Sequence, residues 1–230
     1  QCLVGSEMCI RDSSKYLKSY AGFLVEEEVT MLNKAIHQRK TMILGGGKVD
    51  DKIDVINNLI NTCDKLLLGG AMCFTFLKAK GYNVGKNEVV EDKLEYAKNL
   101  LETNGKKIIL PVDFVSEHGV VEVENISDDD ILYDIGPKTI SKYKEAIFDS
   151  NLVLWNGPLG KYEDERFAEG TKSLMTYLNK QSIVTILAGG DIVACAKKLG
   201  AKFTFVSTGG GATLEYLEGK RFKTLERLQG

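Results

Sequence analysis

Residues 182–199, SIVTILAGGDIVACAKKL, decide the fold. Ile183, Val184, Ile186 and Leu187 make a nearly continuous apolar run, the pattern of a strand covered on both faces in a parallel sheet. The run ends at Ala188, Gly189 and Gly190, a turn too small for side chains. Asp191 follows, and Val193, Ala194, Ala196 and Leu199 suit a helix. A helix that starts directly beyond a strand aims its free N–H groups and positive dipole end at whatever lies above the strand, which makes an anion site. Alone, the stretch has a second reading, a tight turn with Asp191 as a simple N-cap. The rest of the chain decides between them.

The same grammar repeats outward from this stretch. Met42-Ile43-Leu44 runs into Gly45-Gly46-Gly47, Leu66-Leu67-Leu68 into Gly69-Gly70-Ala71, and Ile108-Ile109-Leu110 into Pro111. Ile131-Leu132-Tyr133 leads to Asp134-Ile135-Gly136-Pro137, Leu152-Val153-Leu154 to Trp155-Asn156-Gly157-Pro158, and Phe203-Thr204-Phe205-Val206 to Ser207-Thr208 and Gly209-Gly210-Gly211. Helical patterns separate these runs. One carries the stripe Val25, Val29, Leu32 and Ile36; one covers 72–80; one covers 91–103 and stops at Asn104-Gly105. Another starts at Pro137 and runs to Asp149, and a last carries Phe167, Thr171, Leu174 and Leu178. Strands alternating with helices mean βαβ units with parallel strands. The prediction is a doubly wound, mostly parallel α/β sheet of about six to seven strands with helices on both faces. Residues 113–130 break the alternation. They are expected to be an excursion over the sheet edge, with Asp128, Asp129 and Asp130 a solvated turn.

Composition excludes several classes of function. The 230 residues are 43% hydrophobic and 27% charged, ordinary for one compact soluble domain. Thirty basic against thirty-two acidic residues leave a formal charge of −2, so no bulk field draws the chain to nucleic acid or to an anionic membrane. Any phosphate must be held by local groups. Five cysteines without a C-x-x-C pair suit reduced thiols in a cytoplasmic protein. Two histidines, His37 and His118, do not make a metal cluster. No apolar run reaches the length of about 18 residues that a membrane span needs. Residues 1–13 have neither a secretory pattern nor amphipathic period; they are read as a tail foreign to the domain at 14–230.

Glycine carries the functional signal. In such a sheet, ligands sit outside the carboxyl ends of the strands, and glycine pairs at four of those ends let backbone approach a ligand closely. Lys48 and Lys52, four apart after Gly45-Gly46-Gly47, share a helix face if the helix has begun by Lys48, where two ammonium groups could hold phosphates. They could equally be a solvated pair beside a turn. Three familiar signatures are missing: G-x-x-x-x-G-K-[ST], G-x-G-x-x-G after a strand, and G-x-S-x-G.

Together these motifs resemble the carboxy-terminal, nucleotide-binding half of phosphoglycerate kinase. The matching stretches keep the family's order from about residue 14 to residue 220 and include ILGGGKVDDKI at 43–53, LLGGAMCFTFLKAKGYNVG at 67–85, DIGPKT at 134–139, VLWNGPLGKYE at 153–163, AGGDIVACAKKLG at 188–200 and STGGGATLEYLEGK at 207–220. WNGP and the final glycine-rich stretch are specific at this spacing. The resemblance implies a Rossmann-like domain that binds Mg·ADP or Mg·ATP for phosphoryl transfer with 1,3-bisphosphoglycerate in glycolysis. It also implies a cytoplasmic monomer with neither a nucleic-acid nor a membrane partner. By the same resemblance, Gly46, Lys48 and Lys52 match the turn and lysines at the nucleotide phosphates. Gly69, Gly70, Phe74 and Gly136 match the adenine pocket, Asn156 and Pro158 the turn under the nucleotide, and Glu163 the carboxylate for the ribose hydroxyls. Gly189, Gly190, Asp191 and Ile192 match the helix start at the phosphates, with Asp191 as the Mg²⁺ carboxylate. Gly211 belongs to the glycine run near the transferring phosphate, and Lys48, Lys52, Gly190 and Gly211 form the implied catalytic set. Phosphoryl transfer needs positioning and charge neutralisation more than covalent chemistry, which suits amides, lysines and Mg²⁺.

This sequence departs from the family in three ways. Ala71 and Ala188 stand where glycine is usual, and Ile192, expected at an exposed helix start, stands where Thr or Ser usually follows the aspartate. The family's amino-terminal, phosphoglycerate-binding half is not among these residues, so the expectation is nucleotide binding without turnover. The alternative is a stand-alone nucleotide-binding or scaffold module built from the same domain.

Overall fold

The computed structural model describes residues 13, 16–36, 38, 40–47, 56, 59–207, 209–217 and 219–228; Lys48, Lys52 and residues 1–12 of the expected tail lie outside them. In chain order the elements are α1 (Phe23–Ile36), β1 (Lys40–Leu44), β2 (Lys65–Leu68), α2 (Met72–Ala79), α3 (Leu94–Asn104), β3 (Ile108–Ile109), β4 (Asp113–Ser116) and β5 (Gly119–Glu122). Then follow β6 (Leu132–Ile135), α4 (Pro137–Phe148), β7 (Leu152–Asn156), α5 (Glu169–Asn179), β8 (Val184–Ala188), α6 (Gly190–Lys198), β9 (Phe205–Ser207), α7 (Gly210–Leu217) and α8 (Lys223–Leu228).

Six strands form one sheet in the order β3-β2-β1-β7-β8-β9, and every pair in it is parallel. The continuous apolar runs of the sequence have the cause assigned to them. All five residues of β1 and all five of β7 are buried, because helices cover both faces. Among the helices, α2 buries Met72 to Leu77 in an unbroken row, while α4 and α5 bury one face each.

The winding positions the site. From β1 the chain works outward through β2 to β3, then returns to β7 on the other side of β1 and works outward again to β9. The direction therefore reverses between β1 and β7, whose ends pair as Leu44 with Asn156. A crevice at such a reversal is the usual ligand position in an open α/β sheet.

The strand at 131–133 is in a different place from the one predicted. It is the start of β6, which pairs antiparallel with β4, and β4 pairs with β5, so residues 113–135 build a second, three-stranded sheet. The expected excursion is a regular hairpin plus a return strand. A short apolar run has the same periodicity whichever sheet it joins, so the sequence pattern could not choose its partner. Asp128 and Asp129 are exposed, as a solvated turn requires.

Helix α4 starts as predicted at Pro137, with its cap supplied from another strand. The carboxylate of Asp113 on β4 accepts hydrogen bonds from the Lys138 amide at 2.9 Å, the Thr139 amide at 2.7 Å and the Thr139 hydroxyl at 2.6 Å. Those amides are the orphan donors of a helix N-terminus.

Candidate functional site

At the reversal, the loops that follow β1, β2 and β7 interlock through their backbones. The Gly45 amide donates to the Asn156 carbonyl at 2.8 Å, and the Gly46 amide to the Pro158 carbonyl at 2.7 Å. The Ala71 amide donates to the Gly46 carbonyl at 3.1 Å, and the Gly70 amide to the Leu159 carbonyl at 3.1 Å. This closeness requires glycine: a Cβ on Gly45 would collide with the Pro158 carbonyl, and one on Gly157, at φ +79°, with the Gly45 carbonyl. The sequence run GGG at one strand end and WNGP at another are thus two halves of one contact.

Above this floor lies a cleft of about 350 Å³, within the usual range for small-molecule sites. Its apolar part includes Phe74, Phe114 and Leu132, with the Phe74 and Phe114 ring centroids 5.3 Å apart. Its polar part includes Tyr162, Glu163 and Asp191. Burial raises the Tyr162 phenol pKa, and the Glu163 and Asp191 charges add to the rise, so both carboxylates lie near one phenol. Tyr133 stacks on Phe167 with centroids 4.4 Å apart, and the Lys161 ammonium lies 5.6 Å from the Tyr133 ring centre.

Beside the cleft, two helix N-termini converge. Gly189, at φ +107°, caps α6, and its amide donates to the Ser207 carbonyl at 3.0 Å. A Cβ placed on Gly210, the first residue of α7, would stand 3.4 Å from the Gly189 Cα. Two sets of unpaired amides and two positive dipole ends thus sit side by side. Under them lies Asn156, which is buried; its Nδ2 donates to the Ala188 carbonyl at 2.6 Å. Its Oδ1 is a buried acceptor without a hydrogen-bond donor among the described residues. Asp191, exposed in the first turn of α6, carries the nearest carboxylate in sequence.

The cleft brings together Gly46, Gly70, Phe74, Pro158, Glu163 and Asp191 of the residues proposed from sequence. Gly69 lies under the Leu159 side chain, and Gly136 lies against the Asp113 carboxylate, so neither forms the cleft wall. Gly190 and Gly211 are exposed with open space where a Cβ would go. Ile192 corrects the expectation of an exposed helix start: it is 0% exposed, and with Val193, Cys195 and Ala196 it forms the buried face of α6. Adjacent helix residues point in different directions, so Asp191 outside and Ile192 inside follow from one another. Ala71 is right-handed at φ −61°, ψ −30°, a conformation any residue adopts, so alanine there costs nothing.

Sequence reasoning missed Asp134. It is 2% exposed and forms part of the cleft wall, where it accepts from the Ile135 amide at 2.9 Å and from the Gly170 amide of α5 at 2.7 Å. Burial outweighs these two bonds and pushes its pKa up to about 7. Its only sequence signal was an acid two residues before a glycine near a strand end, which a turn explains equally well.

Among the described residues, no three His, Cys, Asp or Glu side chains cluster as a metal cage. The donors present, a single exposed carboxylate in the first turn of α6 with Glu163 nearby, fit a Mg²⁺ ion whose other positions phosphate and water would fill.

A model of the phosphoglycerate kinase family matches residues 6–220 of the chain. The phosphoglycerate kinase of Finegoldia magna is 47% identical over 90% of this chain and 56% of its own length; that of Staphylococcus haemolyticus is 44% identical with the same coverage. The structure of phosphoglycerate kinase from Coxiella burnetii superposes with a TM-score of 0.84 at 34% identity, covering 91% of this chain and 58% of that one. The chain spans little more than half the length of these relatives.

Proposed function

This chain belongs to the phosphoglycerate kinase family, and from that premise we propose that residues 14–230 are the nucleotide-binding half of such an enzyme, taking Mg·ADP or Mg·ATP in the cleft at the β1/β7 reversal. The observation that carries the reading is the interlocked floor of Gly45, Gly46, Gly70 and Pro158, with an apolar recess and two convergent helix N-termini opening above it. Phe74, Phe114 and Leu132 supply an apolar surface for a purine. Glu163 is an exposed carboxylate able to accept from ribose hydroxyls. The amides at the starts of α6 and α7 take phosphate oxygens, and Asp191 would hold the Mg²⁺ that neutralises phosphate charge. Lys48 and Lys52 take phosphate oxygens by the family motif.

In this reading the domain positions one substrate and stabilises charge; it carries out no covalent step of its own. The other substrate, 1,3-bisphosphoglycerate or 3-phosphoglycerate, is held by the part of the relatives' length that these residues do not cover. Among the described residues no helix is long and apolar enough to cross a membrane. Calorimetry with Mg·ADP, paired with a coupled assay for ATP formation, tests the reading. Binding without turnover by these 230 residues is expected; no heat at millimolar nucleotide would remove the nucleotide site.

A further inference from the structure

Asp134 lies where three pieces of the cleft meet. Its Oδ2 accepts from the Gly170 amide at the start of α5, and its Oδ1 from the Ile135 amide within β6. The third piece is the loop after β7. A Cβ on Gly160 would collide with the Asp134 carboxylate, so this loop passes directly over it with bare backbone. On either side of Gly160 the loop is pinned to the same two elements: the Lys161 amide donates to the Tyr133 carbonyl at 2.8 Å, and the Leu159 amide to the Thr171 hydroxyl at 3.0 Å. Lys161, Tyr162 and Glu163, the next residues of that loop, all line the cleft.

We propose that Asp134 is a positioning residue for the nucleotide cleft: its carboxylate ties the start of α5 to β6 around Gly160 and so sets where Lys161, Tyr162 and Glu163 stand. The proposal rests on the nucleotide reading given above and assigns Asp134 a role that acts through the loop it holds. The chemistry requires a carboxylate in particular. Both oxygens face backbone N–H donors, so an amide in that place must turn its own NH₂ toward one of them and lose that bond. Bonds from N–H to an ionised carboxylate are the stronger kind, and a proton on either oxygen weakens one of the two.

The charged groups on the elements packed around Asp134 are Glu169 and Lys172 of α5, Lys161, Glu163, Asp164, Glu165 and Arg166 between β7 and α5, and Asp113 of β4; of these, Glu169 is the one whose charge reaches it and adds to the upward shift caused by burial. A midpoint of about 7 puts the tightening of the clamp within the physiological range. Two opposed effects then share one midpoint. Ionising a buried carboxyl costs global stability, while the same event tightens the local bonds that hold the loop.

The test uses adenosine as the probe, because it has no phosphate to titrate between pH 5.5 and 8.5, and no histidine lines the cleft among the described residues. In the wild-type chain, adenosine affinity should rise roughly threefold to tenfold across that range, the scale of one hydrogen bond. Asp134→Asn should hold it flat at the weak end, and inorganic tripolyphosphate should bind both proteins alike. The amide resonances of Gly170 and Lys161 in the wild type should titrate together near pH 7, a readout that stands even if Asp134→Asn does not fold. Amides that fail to titrate, or an Asp134→Asn protein with wild-type affinity and pH profile, would overturn the positioning role. A wild-type chain that binds neither adenosine nor Mg·ADP at any pH would instead overturn the nucleotide reading, and this proposal with it.

Discussion

Two side chains show how burial decides a residue's role. Ile192 sits one position after the carboxylate of α6, yet it is completely buried, so Ile192→Thr should cost about 1–3 kcal/mol of stability by placing a hydroxyl in the core and shrinking its packing. Mg·ADP affinity should not improve; denaturant titration and calorimetry read the two effects separately, and a tighter complex would put Ile192 at the ligand. Asp134 gives a sign for pH dependence. Its folded pKa of about 7 lies above the ordinary 3.8, so between those values the folded state holds a proton that the unfolded state has released. Stability from this group is therefore full below about pH 4, falls as pH rises toward 7 and is flat above, a loss on the order of a few kcal/mol. Thermal melts from pH 4.5 to 8 should show this slope in the wild type, and Asp134→Asn should flatten it.

At the scale of elements, the strand ends and helix starts differ in how much glycine they demand. Gly45→Ala would drive a methyl group into the Pro158 carbonyl, so the β1 and β7 loops must separate. It should lose roughly 2–4 kcal/mol and nucleotide binding together. Gly190→Ala and Gly211→Ala meet nothing within 4 Å, and both positions lie in helices, so stability should hold or rise by about 0.5–1 kcal/mol. Melting temperatures of the three variants check the contrast. The loop carrying Glu163 and the helix carrying Asp191 should separate as ligand sites. Glu163→Ala should weaken ADP by roughly 1–2 kcal/mol while sparing inorganic tripolyphosphate, and Asp191→Asn should weaken ADP in Mg²⁺ but not in EDTA. Equal losses for both ligands, or in both buffers, would reassign these carboxylates.

For the molecule as a whole, the six-stranded sheet is a platform whose single reversal lies between β1 and β7, and the small antiparallel sheet adds Phe114, Leu132 and Tyr133 to one wall of the cleft. A ligand bound across loops from both sheets should stabilise them as a unit. Mg·ADP at a hundredfold excess over its Kd should add about 2.7 kcal/mol to unfolding, seen as a concentration-dependent rise in melting temperature. A thermal shift absent at saturating nucleotide would mean that the cleft is not the binding site.

Much of this was legible in the residues themselves. Apolar runs broken by glycine show buried strands ending at closely packed loops, because a strand covered on both faces leaves no polar side and loops whose backbones touch, as at Gly45 and Gly157, cannot carry a Cβ. The order of the motifs was enough to indicate the family. Three features required the third dimension. Periodicity is a property of one segment and cannot name the partner strand, so β6 was assigned to the wrong sheet. The facing of a helix depends on what it packs against, so Ile192 was placed outside rather than in the core. The role of Asp134 depends on Gly160 and Gly170, residues 26 and 36 positions away that only the fold brings to its carboxylate. Burial and the field around a charged group are sums over neighbours distant in sequence, and only tertiary structure performs that sum.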